Sequence, residues 1–322
     1  MEEIRFTPKI KLAVTVDDLF LWKGIPWSRG YSPSTVVPAM TAAFARHGLE
    51  HVYGFSATAS AGGDQAMREM FDHWSESGHR IGNHTHYHAN LNWVDEARYI
   101  RDIERTAELI EPWITDAPIK YFRYAMDNWG NTAVKYDGVQ NYLGDNGYTS
   151  APISVWFYDT EFLAAHVRVS EANDPDAMDW LRQQFIDTAL KQLQLQATTA
   201  RALFGQDPVY IWLIHATPLA ADCLDDILAT FQLAGVEFAS LEEAMADPLN
   251  QQPAPLITPR FLNHIQKWAV HKGLTLEECP PSILEEVEKL HPMDGLEYGE
   301  VMVRVFKAVA EEVGGQFERK LY

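Results

Sequence analysis

Cysteine is nearly absent from this chain: Cys223 and Cys279 are the only two in 322 residues. Their wide separation matches neither a disulfide framework nor a thiolate zinc site, so both read as packing residues. Long apolar runs are lacking as well, and no stretch approaches the roughly 18 consecutive apolar residues of a membrane span. The N-terminus, MEEIRFTPKIKLAVTVDD, starts with two acids and reaches its first apolar run at once, without the n-region, h-region and cleavage site of a leader. That pattern predicts a cytoplasmic protein, or a secreted or periplasmic one from which a leader has already been removed. Positive charge is the third scarcity. The 26 Lys and Arg stand against 45 Asp and Glu, a formal net charge of −19, and no basic cluster offsets it. Neither nucleic acid nor an anionic membrane surface is therefore expected as a partner, whereas a cation would be well received.

What is present is ordinary for a globular protein: 47% hydrophobic and 22% charged residues, which removes the disordered and collagen-like classes. The length suits one large domain plus an appendage. Short apolar runs at 11–16, 51–55, 79–82, 120–123, 152–157, 208–214 and 236–240 alternate with longer amphipathic segments, as in βα units around a parallel sheet. Seven such strands predict an α/β fold, a closed or nearly closed barrel. Helix caps are expected at Ser34, Asp64 and Asp95; the first two helices end on Gly48 and Gly78, and the third stops before Pro112. After the Pro- and Gln-rich stretch 247–256 the texture becomes helical and acidic, with helices near 259–272, 281–290 and 297–314 and no strands. The chain thus divides into a barrel, 1–247, and a helical C-terminal extension, 248–322.

In barrels of this kind, chemistry sits on loops at the C-terminal ends of the strands. Four polar outcrops meet that rule: Asp17 and Asp18 after the first strand, the histidines of GNHTHYHANLN after the third, Arg123 ending the fourth, and His215 closing VYIWLI. Taken singly each has a plain reading: a turn for the Asp pair, a polar surface loop for the histidines, a rim ion pair for Arg123, a satisfied core histidine for His215. For the histidines two geometries compete. A strand would put His84, His86 and His88 on one side, whereas one helical turn would bring His84 and His88 together and turn His86 away. Spacing alone does not choose.

Taken together, TVDD, HTHYH, FRYAMDNWGNT, YDTEF and WLIHA resemble the ordered motif set of the NodB homology domain, the polysaccharide deacetylases of carbohydrate esterase family 4, over about residues 11–247. The resemblance implies a distorted, NodB-like (β/α) barrel of about seven strands. It implies Asp17 as general base and Asp18, His84 and His88 as metal ligands, with Thr85 in the Ser/Thr slot of the H-[ST]-x-x-H motif and His86 at a variable position. Arg123 would orient the base, Asp159 would tune the catalytic histidine, Leu213 would line the acetyl pocket, and His215 would be the general acid. An Asp-His-His set leaves metal positions open for water and a substrate carbonyl. Zn2+ is the default, with Co2+ or Ni2+ as alternatives.

Two departures from the family pattern stand out. The usual Arg-x-Pro is here Arg123-Tyr124-Ala125-Met126, and the Trp that commonly follows the fourth-motif Asp is Thr160. Both alter the substrate groove rather than the metal site. Tyr124, Met126 and Trp129 are expected to contact substrate, with a backbone N–H near Met126 facing the oxyanion, and Trp22, Trp27 and Trp129 are candidates for a sugar-binding surface. The leading expectation is removal of acetyl groups from N-acetylated, or O-acetylated, carbohydrate. A second is hydrolysis of a small amide or cyclic imide, which requires a closed pocket where a polymer requires an open groove. A third is a non-catalytic carbohydrate-binding protein. The tail, with Phe261, Ile265, Trp268 and Val305 as apolar positions, suits dimerisation, a cover over the site, or support of the barrel.

Overall fold

The computed structural model describes residues 4–253, 255–276 and 280–318; Cys279 lies outside them. The apolar runs become strands β1 (Ile10–Asp17), β2 (Tyr53–Ser56), β3 (Arg80–Asn83), β4 (Lys120–Phe122), β5 (Tyr148–Ser150), β6 (Tyr210–His215) and β7 (Val236–Ala239). All pairings are parallel, in the order β5-β4-β3-β2-β1-β6, with β7 on the first half of β1. Apart from Lys11, β1 is buried along its whole length, which explains its unbroken apolar run: a parallel strand with both faces covered has no solvent side to mark by alternation.

The run at 152–157, expected as a strand, is one only in part. The ladder with β4 is made just before it, at Tyr148–Ser150, and Pro152 has no N–H to contribute to a sheet. The chain then crosses the gap between the sheet's two edges. Ala151 N–H donates to Phe122 O (2.8 Å), Ser154 and Val155 N–H donate to Ile211 O (both 3.0 Å), and Leu213 N–H donates back to Val155 O (3.0 Å). Residues 151–155 thereby tie β4 to β6 and turn the curled sheet into a distorted (β/α) barrel.

Helices α1 (Pro33–Arg46), α2 (Asp64–Glu76), α3 (Glu96–Ile114), α4 (Ala133–Asp145), α5 (Leu163–Ala172), α6 (Pro175–Phe204), α7 (Pro218–Ala234) and α8 (Leu241–Ala246) surround it. Three boundaries differ from expectation. α1 is capped by Ser32, not Ser34, because Pro33 fits the first helical position, where its missing N–H costs nothing. α2 starts at Asp64 itself, after Gly63. α3 is capped by Asp95 as read, its carboxylate accepting from Arg98 N–H at 2.9 Å, but runs through Pro112 to Ile114. The donor lost at Pro112 would have served the carbonyl of Glu108, an exposed residue in reach of water.

The tail forms α9 (His264–His271), α10 (Ile283–Glu288) and α11 (Tyr298–Glu312), with no strand among the described residues. It lies on the barrel. His264 N–H donates to Ile153 O (2.7 Å), Ile265 joins the main core, and the Trp268 ring meets Phe204 of α6 at 6.1 Å. Val305, Phe306 and Val309 of α11 are buried with Leu21, Trp22 and Trp93, so the apolar face of this helix is used within the chain. Among the described residues, no helix is long and apolar enough to cross a membrane.

Candidate active site

Strand register assembles the site. Asp17 pairs with Phe55 on one side and His215 on the other, and Asn83 pairs with Phe122, so the residues that end β4, β3, β1 and β6 stand along one rim. Asp17 and Asp18 are 2% and 1% exposed, His84 and His88 1% and 2%. The chain buys this convergence with local strain: of the ten non-glycine residues at positive φ among the described residues, seven surround the rim, namely Asp18, Leu21, Thr85, His88, Met126, Asp127 and Tyr158. A left-handed Thr is costly and persists only where its surroundings over-determine it.

Those surroundings are visible around Thr85. Asn83 donates from Nδ2 to Ile103 O (3.0 Å) and accepts from Thr85 N–H (3.0 Å), and Thr85 Oγ1 accepts from Ala89 N–H (3.1 Å). The segment HTHYH, after the end of β3, is therefore neither a strand nor a helix but a tight loop braced by polar side chains. His84 and His88 face each other with ring centres 4.9 Å apart. His86 turns out of the site: its N–H donates to Asp102 O, its Nδ1 lies 2.8 Å from Thr58 Oγ1, and it is only half-buried.

Asp18, His84 and His88 offer ligand atoms that all lie within 4.8 Å of one another. His84 donates from Nδ1 to Arg123 O (2.8 Å), which leaves the lone pair on Nε2. His88 Nε2 lies 3.4 Å from Asp18 Oδ2, and its own Nδ1 is buried without a partner. Neither oxygen of Asp18 receives a well-aligned hydrogen bond, and Ala57 N–H polarises it only weakly. Burial raises the Asp18 carboxyl to about 6, against the pull of His84 and His215. A buried carboxylate without strong donors, beside two buried imidazoles of which His84 is held with its Nε2 lone pair free, is the electrostatic complement of a divalent cation. The donor set fits such an ion.

Asp17 is engaged differently. Arg123 Nη1 donates to its Oδ1 (2.8 Å) and to Thr15 Oγ1 (2.7 Å), and Nε donates to Ala151 O (3.3 Å), with the guanidinium 4.2 Å above the Phe55 ring. Asp17 Oδ2 lies 3.7 Å from His84 Nε2. Asp159, at the head of a short 3-10 turn, accepts from His215 N–H (2.6 Å) and lies 3.0 Å from His215 Nδ1. Burial alone would lower the His215 pKa, but Asp159, with help from Asp18 and Asp17, raises it to about 9.

Leu213 and Met126 line the pocket above these groups, together with Trp22. Tyr124 and Trp129, expected at the substrate, do not reach it. Tyr124 lies in an aromatic stack between Tyr99 and Trp129, donor and acceptor to no pocket atom, with Gln140 Nε2 donating to its hydroxyl at 2.8 Å. Trp129 continues that stack to Tyr136, and Trp27 packs at the edge of the core. The chain after Arg123 makes a tight turn with Met126 and Asp127 left-handed, which sends Met126 into the pocket and Trp129 behind it.

Sequence reading missed two features. Asp127 and Lys267 form a buried ion pair (2.8 Å) that ties the Met126 turn to α9, with Trp129 Nε1–H donating to Asp127 Oδ1 (2.7 Å). Tyr298, Met302 and Phe306 of α11 form a wall of the pocket. Their spacing of four residues was a visible signal of one helical face, though not of what that face would meet.

Residues 6–143 match the family model described as polysaccharide deacetylase. No curated protein matches the chain. Among solved structures, similar ones include a mutant of BA3943, a CE4 family pseudoenzyme from Bacillus anthracis, with restored enzymatic activity (16% identity, 74% of this chain and 68% of that one, TM-score 0.49). Others are the polysaccharide deacetylase Bc1974 from Bacillus cereus (15%, 72% and 91%, TM-score 0.47) and a family 4 acetyl xylan esterase from Clostridium thermocellum in complex with a cobalt ion (15%, 73% and 90%, TM-score 0.46).

Proposed function

We propose, from the site's geometry and the match of residues 6–143 to the polysaccharide deacetylase family model, that the protein is a metal-dependent hydrolase that removes acetyl groups from amide- or ester-linked substrates, carbohydrate or smaller. The observation that carries this reading is the division of labour at the rim. One buried aspartate, Asp17, is held by an arginine, and its neighbour Asp18 faces two imidazoles instead.

Asp18, His84 and His88 would hold the ion, Zn2+ by preference for two imidazoles and a carboxylate, with Co2+ or Ni2+ accepted by the same donors. Bound there, it supplies Lewis-acid polarisation of the substrate carbonyl and lowers the pKa of the attacking water. The protein's own residues move the protons. Arg123 occupies Oδ1 of Asp17, so Oδ2 is the oxygen that takes a proton from the water as it attacks the acetyl carbonyl. His215, kept protonated by Asp159, donates a proton to the departing amine or alcohol. The acyl carbon gains one C–O bond and loses its bond to the leaving group, and acetate and a free amine or hydroxyl result. The backbone N–H of Met126, at the pocket wall, is the donor assigned to the developing oxyanion. Leu213 is assigned to the acetyl methyl.

Every group this chemistry needs is present, so a purely carbohydrate-binding role has no feature in its favour. The test is acetate release from chitooligosaccharides, acetylxylan and small N-acetyl amides, before and after chelation. Release that stops on chelation and returns with Zn2+, Co2+ or Ni2+ is expected. Release indifferent to chelator would overturn the metal assignment, and no release from any member would overturn the hydrolase.

A further inference from the structure

Building on the hydrolase reading, we infer that the substrate is a small acylated molecule with a neutral, apolar, preferably aromatic body, and that a polysaccharide chain is excluded from the site. Helix α11 lies directly over the reacting groups. The Phe306 ring stacks on His88 with centres 6.5 Å apart and planes at 11°. Trp22 fills the corner, 5.1 Å from His88, 5.7 Å from His215 and 5.3 Å from Phe306. A polymer bound across the rim would have to pass where these side chains stand.

This cover is fastened. Arg168 of α5, fully buried, donates to the carbonyls of Leu290 (2.9 Å), Leu296 (2.6 Å) and Glu288 (3.0 Å), so one guanidinium holds the whole connection from α10 to α11. Gln316 N–H donates to Trp93 O (2.9 Å) beyond the helix's other end, and Lys267 locks α9 to the Met126 turn. A buried guanidinium serving four carbonyls, that of Val287 (3.3 Å) included, is costly to release, since freeing the segment would leave its donors unmatched.

The wall chemistry then selects the body of the substrate. Away from the reacting groups, the lining side chains that carry a polar atom are Tyr158, Thr160, Tyr298, Trp22 and Trp156. Thr160 and Tyr298 hydroxyls already pair with each other at 3.3 Å. Both indole N–H groups are buried without a partner and do not open onto the cavity, so the wall offers a bound molecule few polar contacts. That inventory suits a molecule with one or two acceptor oxygens. A hexosamine ring presents several hydroxyls, each needing donors and acceptors, and a site that leaves them unpaired rejects them. The cavity, about 80 Å3, has room for an acyl group and the part of a small body next to it, but for no saccharide chain.

The experiment compares kcat/KM for N-acetyltryptamine, N-acetylglucosamine and chitotetraose with the Zn2+-loaded protein, and measures binding of the first two to chelated protein by calorimetry. At least tenfold preference for N-acetyltryptamine in both readouts is expected, with no gain from monosaccharide to tetrasaccharide. Phe306→Ala should reduce the aromatic preference, and the wild-type comparison stands whether or not that variant folds. Equal or tighter binding of N-acetylglucosamine, or a tenfold gain from monosaccharide to tetrasaccharide, would overturn the inference. Selective binding of N-acetyltryptamine with no turnover of any substrate would support the pocket's selectivity while overturning the hydrolase reading alone.

Discussion

Replacing Lys267 by Met isolates the link between tail and barrel. Lys267 and Asp127 side chains are 2% and 1% exposed, with Nζ 2.8 Å from Oδ2. Burial is the larger influence on both: it pushes the Asp127 carboxyl above its usual range and the Lys267 amine below 10.5, and their mutual attraction offsets this only in part. A pair so balanced adds little net stability while intact, yet removing one member leaves the other charge buried and unmatched, at about 3–5 kcal/mol. With a urea m-value near about 3 kcal/mol/M, Lys267→Met should lower the unfolding midpoint by about 1–1.7 M. Adding Asp127→Asn removes the stranded charge while keeping an amide oxygen for Trp129 Nε1–H, and should restore more than half of the loss. A double variant as unstable as the single one, or a single variant shifted by less than about 0.3 M, would refute the reasoning.

Three further predictions follow from the site. Asp159→Asn should move the alkaline limb of kcat/KM to lower pH: in the proposed mechanism His215 acts when protonated, so activity would be lost as pH rises through its pKa, raised to about 9. If that pKa returns toward 6.5, the protonated fraction at pH 8 falls from about nine-tenths to about 3%, roughly a 30-fold loss in kcat/KM; an unmoved limb in a pH–rate profile would count against Asp159. In chelator competition, His88→Ala should weaken metal binding by at least about 100-fold and His86→Ala by less than about threefold, and a comparable loss for both would return His86 to the ligand set. Gly82→Ala places a Cβ 2.4 Å from the Phe55 ring that supports Arg123, and should cost about 1–3 kcal/mol in thermal or urea unfolding; an unchanged stability would show that Phe55 has room to move.

The parts of this molecule legible in the sequence are those fixed by local rules. β1, β6 and the cap at Asp95 follow from apolar runs and side-chain chemistry, and the ordered motifs place Asp17, Asp18, His84, His88, Arg123 and His215 on one rim. The run at 152–157 misleads because an apolar stretch says that residues are buried, not that their N–H groups enter a ladder, and Pro152 breaks the sequence of donors. Tyr124 and Trp129 depart from their expected place through the left-handed turn at Met126, a backbone choice stabilised by Lys267 from far along the chain. The role of the tail is the least legible of all. Val305 and Phe306 read as one face of an amphipathic helix, and only tertiary packing says that this face meets Trp22 and His88 rather than a second copy of the chain.

The central claim is that Asp17 is a base, distinct from the metal-holding Asp18. Asp17→Asn, loaded with Zn2+, tests it most directly when metal content and acetate release are measured on the same sample. The account predicts one bound ion per chain, as in the wild type, with acetate release reduced by about 100-fold or more. Full metal content with undiminished acetate release would contradict it.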